Sequence, residues 1–487
     1  MTAMTEARTK RVLVVVFDAM KPEFVTSALM PALHGFASRG VMCTNSHSTF
    51  FTETRVNQST VTSGCMAYQH GLVGNKFVAS DASPDRVLNT GDDIQLEQAF
   101  ERVGGKLLDV KTLGQYLTDA GKVYASLSAG TQGGGRLINH SAVADGTFRY
   151  SMRRPDASCP AGVEKEIEER FGPLPKYELP AKDWITRAVD VYLDYVEPEV
   201  SPDVMLLWLC EPDESFHYLG IGSEGSLETI RHTDAEFARI LARHHDEIER
   251  GDMQIIAMSD HGQITLAGKP IGITEKLQAA GFKAGDVFDG ETECMFAGSN
   301  AGGIWVRNQD AEITARLVNW LLGQSWCGPI FTRNGLAGTL RLSDVFLNHR
   351  RAPEIALVMK ADGAAVSQTT VHDAPYPAGG GSHGGLSRDE LHNFIALGGG
   401  AFKAGVSNDV PCGNTDITPT ILELLSMPLS PHFDGRVLRE ALADGPAPDA
   451  VDVKTETKVS LNATGLKTHI RISQAAGASY IDEAWTA

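Results

Sequence analysis

The feature that most constrains this chain is a recurring pattern in which a short, uninterrupted apolar run ends directly in polar residues. In the segment MQIIAMSDHG, the run Ile255 to Met258 shows no polar alternation, and Asp260 and His261 follow it almost at once. Such a run is typical of a strand buried on both faces of a parallel sheet. The segments KRVLVVVFDAM, VYASLSAG, PDVMLLWLCEPD and HNFIALGGG repeat the pattern. Because helix-length stretches separate them, they predict an α/β fold with a doubly wound, mostly parallel sheet and helices on both faces.

Potential metal ligands follow several of these runs. In open α/β sheets the carboxyl ends of the strands are where ligands bind, although a single Asp-His pair also fits an ordinary turn. Asp213 and His217 are four residues apart, so one helical turn would place them on the same face. Three aspartates and three histidines are too many for one tetrahedral zinc and suit two metal ions. The six candidate ligands are Asp18, Asp213, His217, Asp260, His261 and His383.

A two-metal centre of this kind suits phosphoryl transfer, which also needs a nucleophile. The segment around FFTETRVNQSTVTSG is rich in hydroxyl side chains. A hydroxyl at the start of a helix would gain from the helix dipole and from a nearby metal, while a helix N-cap is the ordinary role for such a residue. On chemistry alone the candidates remain Thr49, Thr52, Thr54 and Ser59.

Taken together and in order, these segments resemble the alkaline phosphatase superfamily and, within it, the nucleotide pyrophosphatase/phosphodiesterase branch. The resemblance extends over about residues 11 to 438. The matching positions are Asp18, Thr54 and Asn57 with Ser63-Gly64 and HGLVGN, Glu211 to His217, Ser259 to Gly262, and Gly381 to Gly384, followed by NTDITPTILELLSMP and FDGRVL.

The resemblance implies a role for each site residue. Asp213, His217 and His383 would bind one metal ion, and Asp18, Asp260 and His261 the other. Thr54 would be the nucleophile and a ligand of the second metal. Asn57 would donate a hydrogen bond to a phosphoryl oxygen, with help from the backbone N–H of Thr54. Arg55 follows the nucleophile where the family often has an aromatic or small residue, and it either contacts the substrate or faces solvent.

The function that this resemblance implies is a zinc-dependent phosphodiesterase or nucleotide pyrophosphatase that acts through a covalent phosphothreonine. Manganese or iron are alternatives to zinc, because carboxylate and imidazole ligands suit all three. A phosphomonoesterase, a phosphonate hydrolase and a catalytically silent binding protein remain alternative functions. Phosphonoacetate hydrolases have a lysine-bearing segment whose nearest counterpart here, SAGTQGGGRLIN, contains no lysine. A sulfatase is disfavoured because the chain has no C/S-x-P-x-R segment.

Changes in residue composition and apolar pattern along the chain predict its domain organisation. We expect a catalytic core formed by residues 1–264 and 374–445, interrupted by a small α+β cap at 265–373. Composition typical of a linker begins near DGPAPDA, so residues 446–487 are predicted to be a linker followed by a β appendage of two strands.

The balance of charges limits the partners of this chain. Its formal net charge of −18 argues against a nucleic-acid polymer or an anionic membrane as the main partner, whereas a small phosphoryl ester is compatible with a metal-bearing site. The amino-terminal residues lack the apolar core of a signal peptide, and no apolar run is long enough to cross a bilayer. Seven cysteines without a CxxC pair fit reduced thiols. We therefore expect a cytoplasmic protein and leave a homo-oligomer open.

Overall fold

The central element of this computed structural model is an eight-stranded sheet, and the structure describes residues 10–362, 368–463 and 465–487. The strands in chain order are β1 (Arg11–Phe17), β2 (Val41–Cys43), β3 (Ser46–His47), β4 (Lys76–Ala79), β5 (Ser83–Asn89), β6 (Tyr124–Ser128), β7 (Phe148–Ser151), β8 (Val204–Leu209), β9 (Met253–Met258), β10 (Ile264–Leu266), β11 (Cys294–Gly298), β12 (Ala301–Val306), β13 (Cys327–Thr332), β14 (Leu340–Arg341), β15 (Ile355–Met359), β16 (Ala361–Asp362), β17 (Thr369–Thr370), β18 (Gly381–Ser382), β19 (Ile395–Gly398), β20 (Val406–Asn408), β21 (Cys412–Gly413), β22 (Val453–Leu461), β23 (Lys467–Ala475) and β24 (Ala478–Thr486).

The helices lie between these strands. In chain order they are α1 (Pro31–Arg39), α2 (Thr54–Ser63), α3 (Ala67–His70), α4 (Asp93–Arg102), α5 (Leu113–Asp119), α6 (Gln132–Leu137), α7 (Ala142–Asp145), α8 (Val163–Phe171), α9 (Lys182–Val191), α10 (Asp213–Leu219), α11 (Glu224–Arg243), α12 (His245–Glu249), α13 (Ile273–Ala279), α14 (Ala311–Leu322), α15 (Arg388–Leu391) and α16 (Ile417–Leu424). None of the helices in these ranges is both long and apolar enough to span a bilayer.

The predicted fold class is confirmed. The strand order of the main sheet is β20-β2-β19-β9-β1-β8-β6-β7, and β19 alone among these strands runs antiparallel to its neighbours. The five apolar runs of the sequence form β1, β6, β8, β9 and β19. The strand in HNFIALGGG is the antiparallel one, a direction that an apolar run cannot reveal because its side chains are buried either way.

Helices cover both faces of the sheet because alternate side chains of its buried strands point in opposite directions. In β1, Leu13 and Val15 face one apolar cluster that includes side chains of α1, α9 and α11. Val12 and Val14 face a second cluster that includes side chains of α5 and α16. The middle strands are therefore apolar throughout, as the sequence pattern indicates.

A second sheet lies within residues 265–373, the segment for which the sequence predicts a small α+β cap. Its strand order is β11-β12-β15-β13-β14, mostly antiparallel. One face of this sheet packs against α13 and α14, and the other face joins the apolar cluster beneath the β4–β5 hairpin. After this segment the chain returns through β18 to the main sheet, and β18 pairs with β10.

The carboxyl-terminal segment forms three antiparallel strands, β22, β23 and β24, where the sequence indicated two. Ile470 and Ile481 of this sheet are buried in the same apolar cluster as the inserted sheet. The phenol of Tyr480 donates to Asp416, the residue that precedes α16. These contacts attach the terminal strands to the body of the protein.

Arg351 connects the inserted segment to the rest of the chain. Its fully buried guanidinium forms a paired contact with Asp81, at 2.8 and 2.7 Å, and donates to the carbonyl oxygens of Gly71 and Leu107. The adjacent Arg350 also contacts Asp81 but is half exposed. The two arginines thus make similar contacts at different depths.

We expect Arg351→Ala to lower the free energy of unfolding by about 3–5 kcal/mol, because it leaves two buried carbonyls without their donor and Asp81 with only its half-exposed contact to Arg350. Arg350→Ala, the matched control, is expected to cost less than about 1 kcal/mol because solvent screens its ion pair. Urea denaturation of both variants measures the difference. Equal losses would show that burial does not set the contribution of this arginine.

Candidate metal centre and active site

The candidate ligands converge because β1 lies between β8 and β9 and all three strands run parallel. Phe17 is in register with Leu209, and Val16 is in register with Met258. Asp18 and Asp260, each the second residue after one of this last pair, are therefore at the same level on neighbouring strands. All three strand ends open on the same edge of the sheet.

The first group of ligands comprises Asp213, His217 and His383, whose ligand atoms all lie within 4.8 Å of one another. Asp213 and His217 lie one turn apart on α10, which begins four residues after β8 ends. The Nε2 atoms of His217 and His383 are 3.3 and 3.6 Å from the Asp213 carboxylate. His383 arrives from β18, immediately after the return from the inserted segment.

The second group comprises Asp18, Asp213 and His261, again within 4.8 Å, so Asp213 belongs to both groups. Asp260 lies beside this group, with its Oδ2 3.1 Å from His261 Nε2. The imidazoles of His261 and His383 stack with centroids 3.8 Å apart, which joins the two groups. The structure thus brings all six predicted ligands together.

Backbone carbonyls hold the three imidazoles in one orientation. The Nδ1 atoms of His217 and His383 lie 2.8 Å from the carbonyl oxygens of Gly381 and Thr52, and His261 Nδ1 is 3.0 Å from the oxygen of Gly262. A neutral imidazole that donates through Nδ1 keeps the Nε2 lone pair for a metal. All three Nε2 atoms face the carboxylates.

The carboxylates also fit cations. Asp18 and Asp260 each accept one hydrogen bond through one oxygen, from the indole of Trp208 and the backbone N–H of Ala19. In the described part of the chain, Asp18 Oδ1 and Asp260 Oδ2 are buried without a hydrogen-bond partner. Buried polar atoms are rarely left unpaired. Two unpaired carboxylate oxygens beside imidazole Nε2 atoms form a donor set that suits divalent metal ions.

Crowding among these groups shifts their ionisation. Burial raises the pKa of Asp18, and the neighbouring charges of Asp260 and Asp213 raise it further. Burial likewise raises the pKa of Asp260, against the opposing effect of His261. Burial and the charge of His261 lower the pKa of His383. Without a cation, Asp18, Asp260 and His383 therefore favour their neutral forms, whereas Asp213 and His217 favour the charged forms because each lowers the energy of the other's charge.

Thr54 is the hydroxyl that meets this cluster. It is the first residue of α2, and its Oγ1 lies 3.1 Å from His261 Nε2. The other three candidate hydroxyls bind elsewhere: Thr49 donates to Asn57, Thr52 to the carbonyl of Gly385, and Ser59 to the carbonyl of Arg55. The geometry thus separates Thr54 from the alternatives.

Asn57 is not brought to this cluster. It is fully buried, and its amide nitrogen donates to the backbone carbonyls of Thr49, Phe51 and Glu53. Its side-chain oxygen accepts from Thr49 and from Asn414. Its hydrogen-bonding capacity is used in holding the loop before α2, so its amide does not face a substrate.

A different amide lies at the start of α2. The side-chain oxygen of Asn75 accepts the backbone N–H of Arg55 at 3.0 Å, beside Thr54. In the described ranges the Asn75 amide nitrogen has no protein partner. Asn75 ends HGLVGN, one of the segments that resemble the family, so the sequence does point to this residue. The resemblance assigns the donor to a phosphoryl oxygen to Asn57, which lies in the same helix as Thr54.

Asn414 links two segments of the site through buried hydrogen bonds. Its amide nitrogen donates to the side-chain oxygen of Asn57 at 2.8 Å and to the backbone oxygen of Asp260 at 2.6 Å. Its own oxygen accepts from Asn393 at 2.7 Å. This buried chain of amides ties the loop before α2 to the end of β9.

Arg55 is half-buried and lies at the rim of the cluster, close to Gly91. The ring of Tyr376 stacks on His217 with centroids 3.8 Å apart and an interplanar angle of 17°. Tyr376 comes from the loop that precedes β18, and nothing in the sequence pattern pointed to it.

The comparisons with known proteins agree with this architecture. The family model described as type I phosphodiesterase / nucleotide pyrophosphatase matches residues 12–385. The chain therefore belongs to the type I phosphodiesterase/nucleotide pyrophosphatase family, whose members are metal-dependent phosphoryl ester hydrolases. A search of curated proteins gave no match.

Solved structures with the same fold include mouse and human ectonucleotide pyrophosphatase/phosphodiesterase 5. The mouse protein, in an inactive form in complex with AMP, is 15% identical with a TM-score of 0.62, covering 87% of this chain and 96% of that chain. The mouse protein in a second structure is 16% identical with a TM-score of 0.62, covering 87% and 97%. The human protein is 15% identical with a TM-score of 0.61, covering 89% and 100%.

The buried carboxylates give a prediction about the metal-free protein. The pKa of Asp18 is raised in the folded state, so its stabilising contribution is complete below its ordinary pKa and is lost as the pH rises through the folded value. We expect Asp18→Asn to be more stable than the unmodified chain at pH 8 in chelator, by about 1.4 kcal/mol for each unit of raised pKa, with no gain near pH 3.

Thermal unfolding in chelator and with added zinc measures this effect. The asparagine can keep its oxygen on Trp208 and turn its NH₂ group towards the remaining carboxylates, so the change preserves shape. Zinc should reverse the order, because the unmodified chain gains more from metal binding. A less stable Asp18→Asn variant in chelator at pH 8 would contradict the prediction.

Proposed function

We propose that the chain is a two-metal phosphodiesterase that hydrolyses a small-molecule phosphoryl ester through a covalent intermediate on Thr54. One observation carries the proposal: the Thr54 hydroxyl lies 3.1 Å from His261 Nε2, inside the cluster formed by the six candidate ligands. A hydroxyl at the amino end of a helix, within reach of a metal site, is placed for nucleophilic attack.

In this proposal Asp213, His217 and His383 hold one divalent metal ion, and Asp18, Asp260 and His261 hold the other, with Thr54 as a further ligand. Zinc is the proposed metal, because imidazole and carboxylate ligands suit it, and manganese or iron are the alternatives. When bound, the metals would supply Lewis-acid stabilisation of the attacking and leaving oxygens.

The reaction would take place in two displacements. The Thr54 hydroxyl gives up its proton and its oxygen bonds to phosphorus, while the bond from phosphorus to the leaving oxygen breaks and that oxygen takes up a proton. A water molecule then bonds to phosphorus, the bond to the Thr54 oxygen breaks, and a proton from the water restores the hydroxyl. The sum is hydrolysis of one ester bond.

The groups that meet the phosphoryl oxygens would be neutral donors. The backbone N–H groups of the first turn of a helix have no partner within the helix, and Thr54 occupies that position. The Asn75 amide, fixed by its bond to Arg55 N–H, supplies a second donor and takes the role that the sequence assigned to Asn57. Neutral donors suit the single negative charge of a diester.

We expect Thr54→Ala to lower kcat by several orders of magnitude and to leave the protein folded with about two metal ions per chain, because all six carboxylate and imidazole ligands remain. Thr54→Ser should retain part of the activity. Ser59→Ala is the matched control, since its hydroxyl binds a helix carbonyl on the same helix. Elemental analysis and assays with bis-p-nitrophenyl phosphate measure both properties.

Two results would reject the proposed function. One is protein purified without chelator that contains no metal and gains no activity when zinc, manganese or iron is added. The other is a Thr54→Ala variant as active as Ser59→Ala, which would require a different nucleophile.

Diesters should be preferred over monoesters. A monoester brings a dianion, whose second charge would need a further cation at the scissile phosphoryl group, while the neutral donors described above add none. The measurement is kcat/KM for bis-p-nitrophenyl phosphate against p-nitrophenyl phosphate, at one pH and metal content. A preference for the monoester would move the protein to the monoesterase function.

The proposal also includes catalytic activity and a cytoplasmic location. A catalytically silent binding protein is disfavoured by the complete ligand set around Thr54, and the activity assays decide it directly. The cytoplasmic location stays a prediction, supported by seven buried cysteines that form no disulfide.

A further inference from the structure

The guanidinium of Arg55 is a half-buried charge whose interaction with the neighbouring Glu53 carboxylate does not reach ion-pair distance. Some other arginines at comparable or greater depth pair with carboxylates, as Arg136 does with Asp93 and Arg436 with Glu440, whereas the buried Arg149 donates to backbone carbonyls. Arg55 makes no ion pair with any carboxylate in the described part of the chain, and its Nε is buried without a hydrogen-bond partner. An unpaired, partly desolvated charge is costly, so its presence requires a compensating role.

Its position indicates that role. Arg55 directly follows Thr54, and its backbone N–H is fixed by Asn75. The side chain lies against Gly91: a Cβ at that glycine would stand 3.6 Å from Arg55 Nη2 and 3.3 Å from the side-chain oxygen of Asn89. The missing side chain at Gly91 thus leaves room beside the guanidinium, at the rim of the site.

The positive charge of Arg55 also acts on Tyr376. Burial raises the pKa of Tyr376, and the positive charge of Arg55 opposes part of that rise. Tyr376 stacks on His217, in the first ligand group. The Arg55 guanidinium therefore lies within electrostatic range of the ring that covers His217.

We propose that Arg55 binds a second oxyanion, a carboxylate or a terminal phosphate, carried by the organic group that stays on the phosphorus during the first displacement. This inference rests on the proposed function. It also follows from in-line geometry: the leaving oxygen departs on the side opposite Thr54, whereas Arg55 lies beside Thr54 itself. The substrates would then be diesters with one additional negative charge away from the scissile bond.

A planar guanidinium suits this partner because it donates two parallel hydrogen bonds to a carboxylate or phosphate. An excess of acidic residues, 61 against 43 basic ones, makes the rest of the chain unattractive to such an anion. Arg55 at the rim would therefore select among esters by their distal charge.

Two pairs of p-nitrophenyl diesters test the inference. The first pair carries a 3-carboxypropyl group or its uncharged amide, and the second a 3-phosphonooxypropyl or a 3-hydroxypropyl group. We expect the unmodified, metal-loaded protein to favour the charged member of at least one pair by about tenfold or more in kcat/KM. The pair with the larger ratio identifies the oxyanion as carboxylate or phosphate.

Arg55→Met removes the charge and keeps the aliphatic stem, so the charged-to-neutral ratio should fall to about one. Arg55→Lys should restore part of the ratio. Arg102→Met is the matched control, because Arg102 is an exposed arginine at the end of α4, and its ratio should equal that of the unmodified protein. Dissociation constants of the same diesters, measured on the Thr54→Ala background, should show the same ratios without turnover.

Several results would overturn the inference while leaving the proposed function intact. One is hydrolysis of all four diesters with no preference for charge. Another is a preference that Arg55→Met does not change. A third is a loss in Arg55→Met confined to p-nitrophenyl phosphate, which would place Arg55 at the scissile phosphoryl group. Absence of hydrolysis of any ester at any metal content would instead reject the proposed function, and the inference with it.

Discussion

The structure depends on a buried cluster of six side chains whose oxygen and nitrogen atoms can donate electron pairs to a cation. Three carboxylates and three imidazole Nε2 atoms converge in a buried space, and the buried oxygens of Asp18 and Asp260 that face it have no hydrogen-bond partner in the described ranges. In a low-dielectric interior such an arrangement is unfavourable unless a cation balances it. The surrounding fold holds these groups together despite that cost, which is the physical argument for a metal centre.

Rigid elements around the cluster hold these side chains in place despite the unfavourable energy of bringing them together. The central sheet fixes Asp18 and Asp260 on adjacent strands, while α10 fixes Asp213 and His217 one turn apart. Carbonyl oxygens then fix each imidazole through its Nδ1 atom. Such outer contacts orient ligands before any metal binds, so that less free energy is spent on ordering them. The amide chain through Asn414 extends the same rigidity to the loop that presents Thr54.

The two asparagines near Thr54 show what spacing along the chain leaves undecided. Asn57 and Asn75 are both compatible with the motifs, and Asn57 is closer to Thr54 along the chain. Spacing of three residues in a helix places a side chain near the same face, but it does not say which backbone groups need partners. The Asn57 amide donates to three carbonyls of the loop before α2, two of which also accept a backbone N–H, so it is used to hold this loop. Asn75 is left facing the start of the helix.

By itself, the sequence determined the fold class and pointed to six candidate ligands and one hydroxyl-rich segment that the structure brings together, because buried strands and ligand-bearing strand ends are marked by residue type and local spacing. It could not determine contacts that depend on distant segments meeting. The position of Asp213 in both ligand groups, the stacking of Tyr376 on His217 and the unpaired state of Arg55 all arise from loops that are far apart in the chain. Only the tertiary structure decides these, since the energy of a side chain is set by what surrounds it and not by its neighbours in sequence.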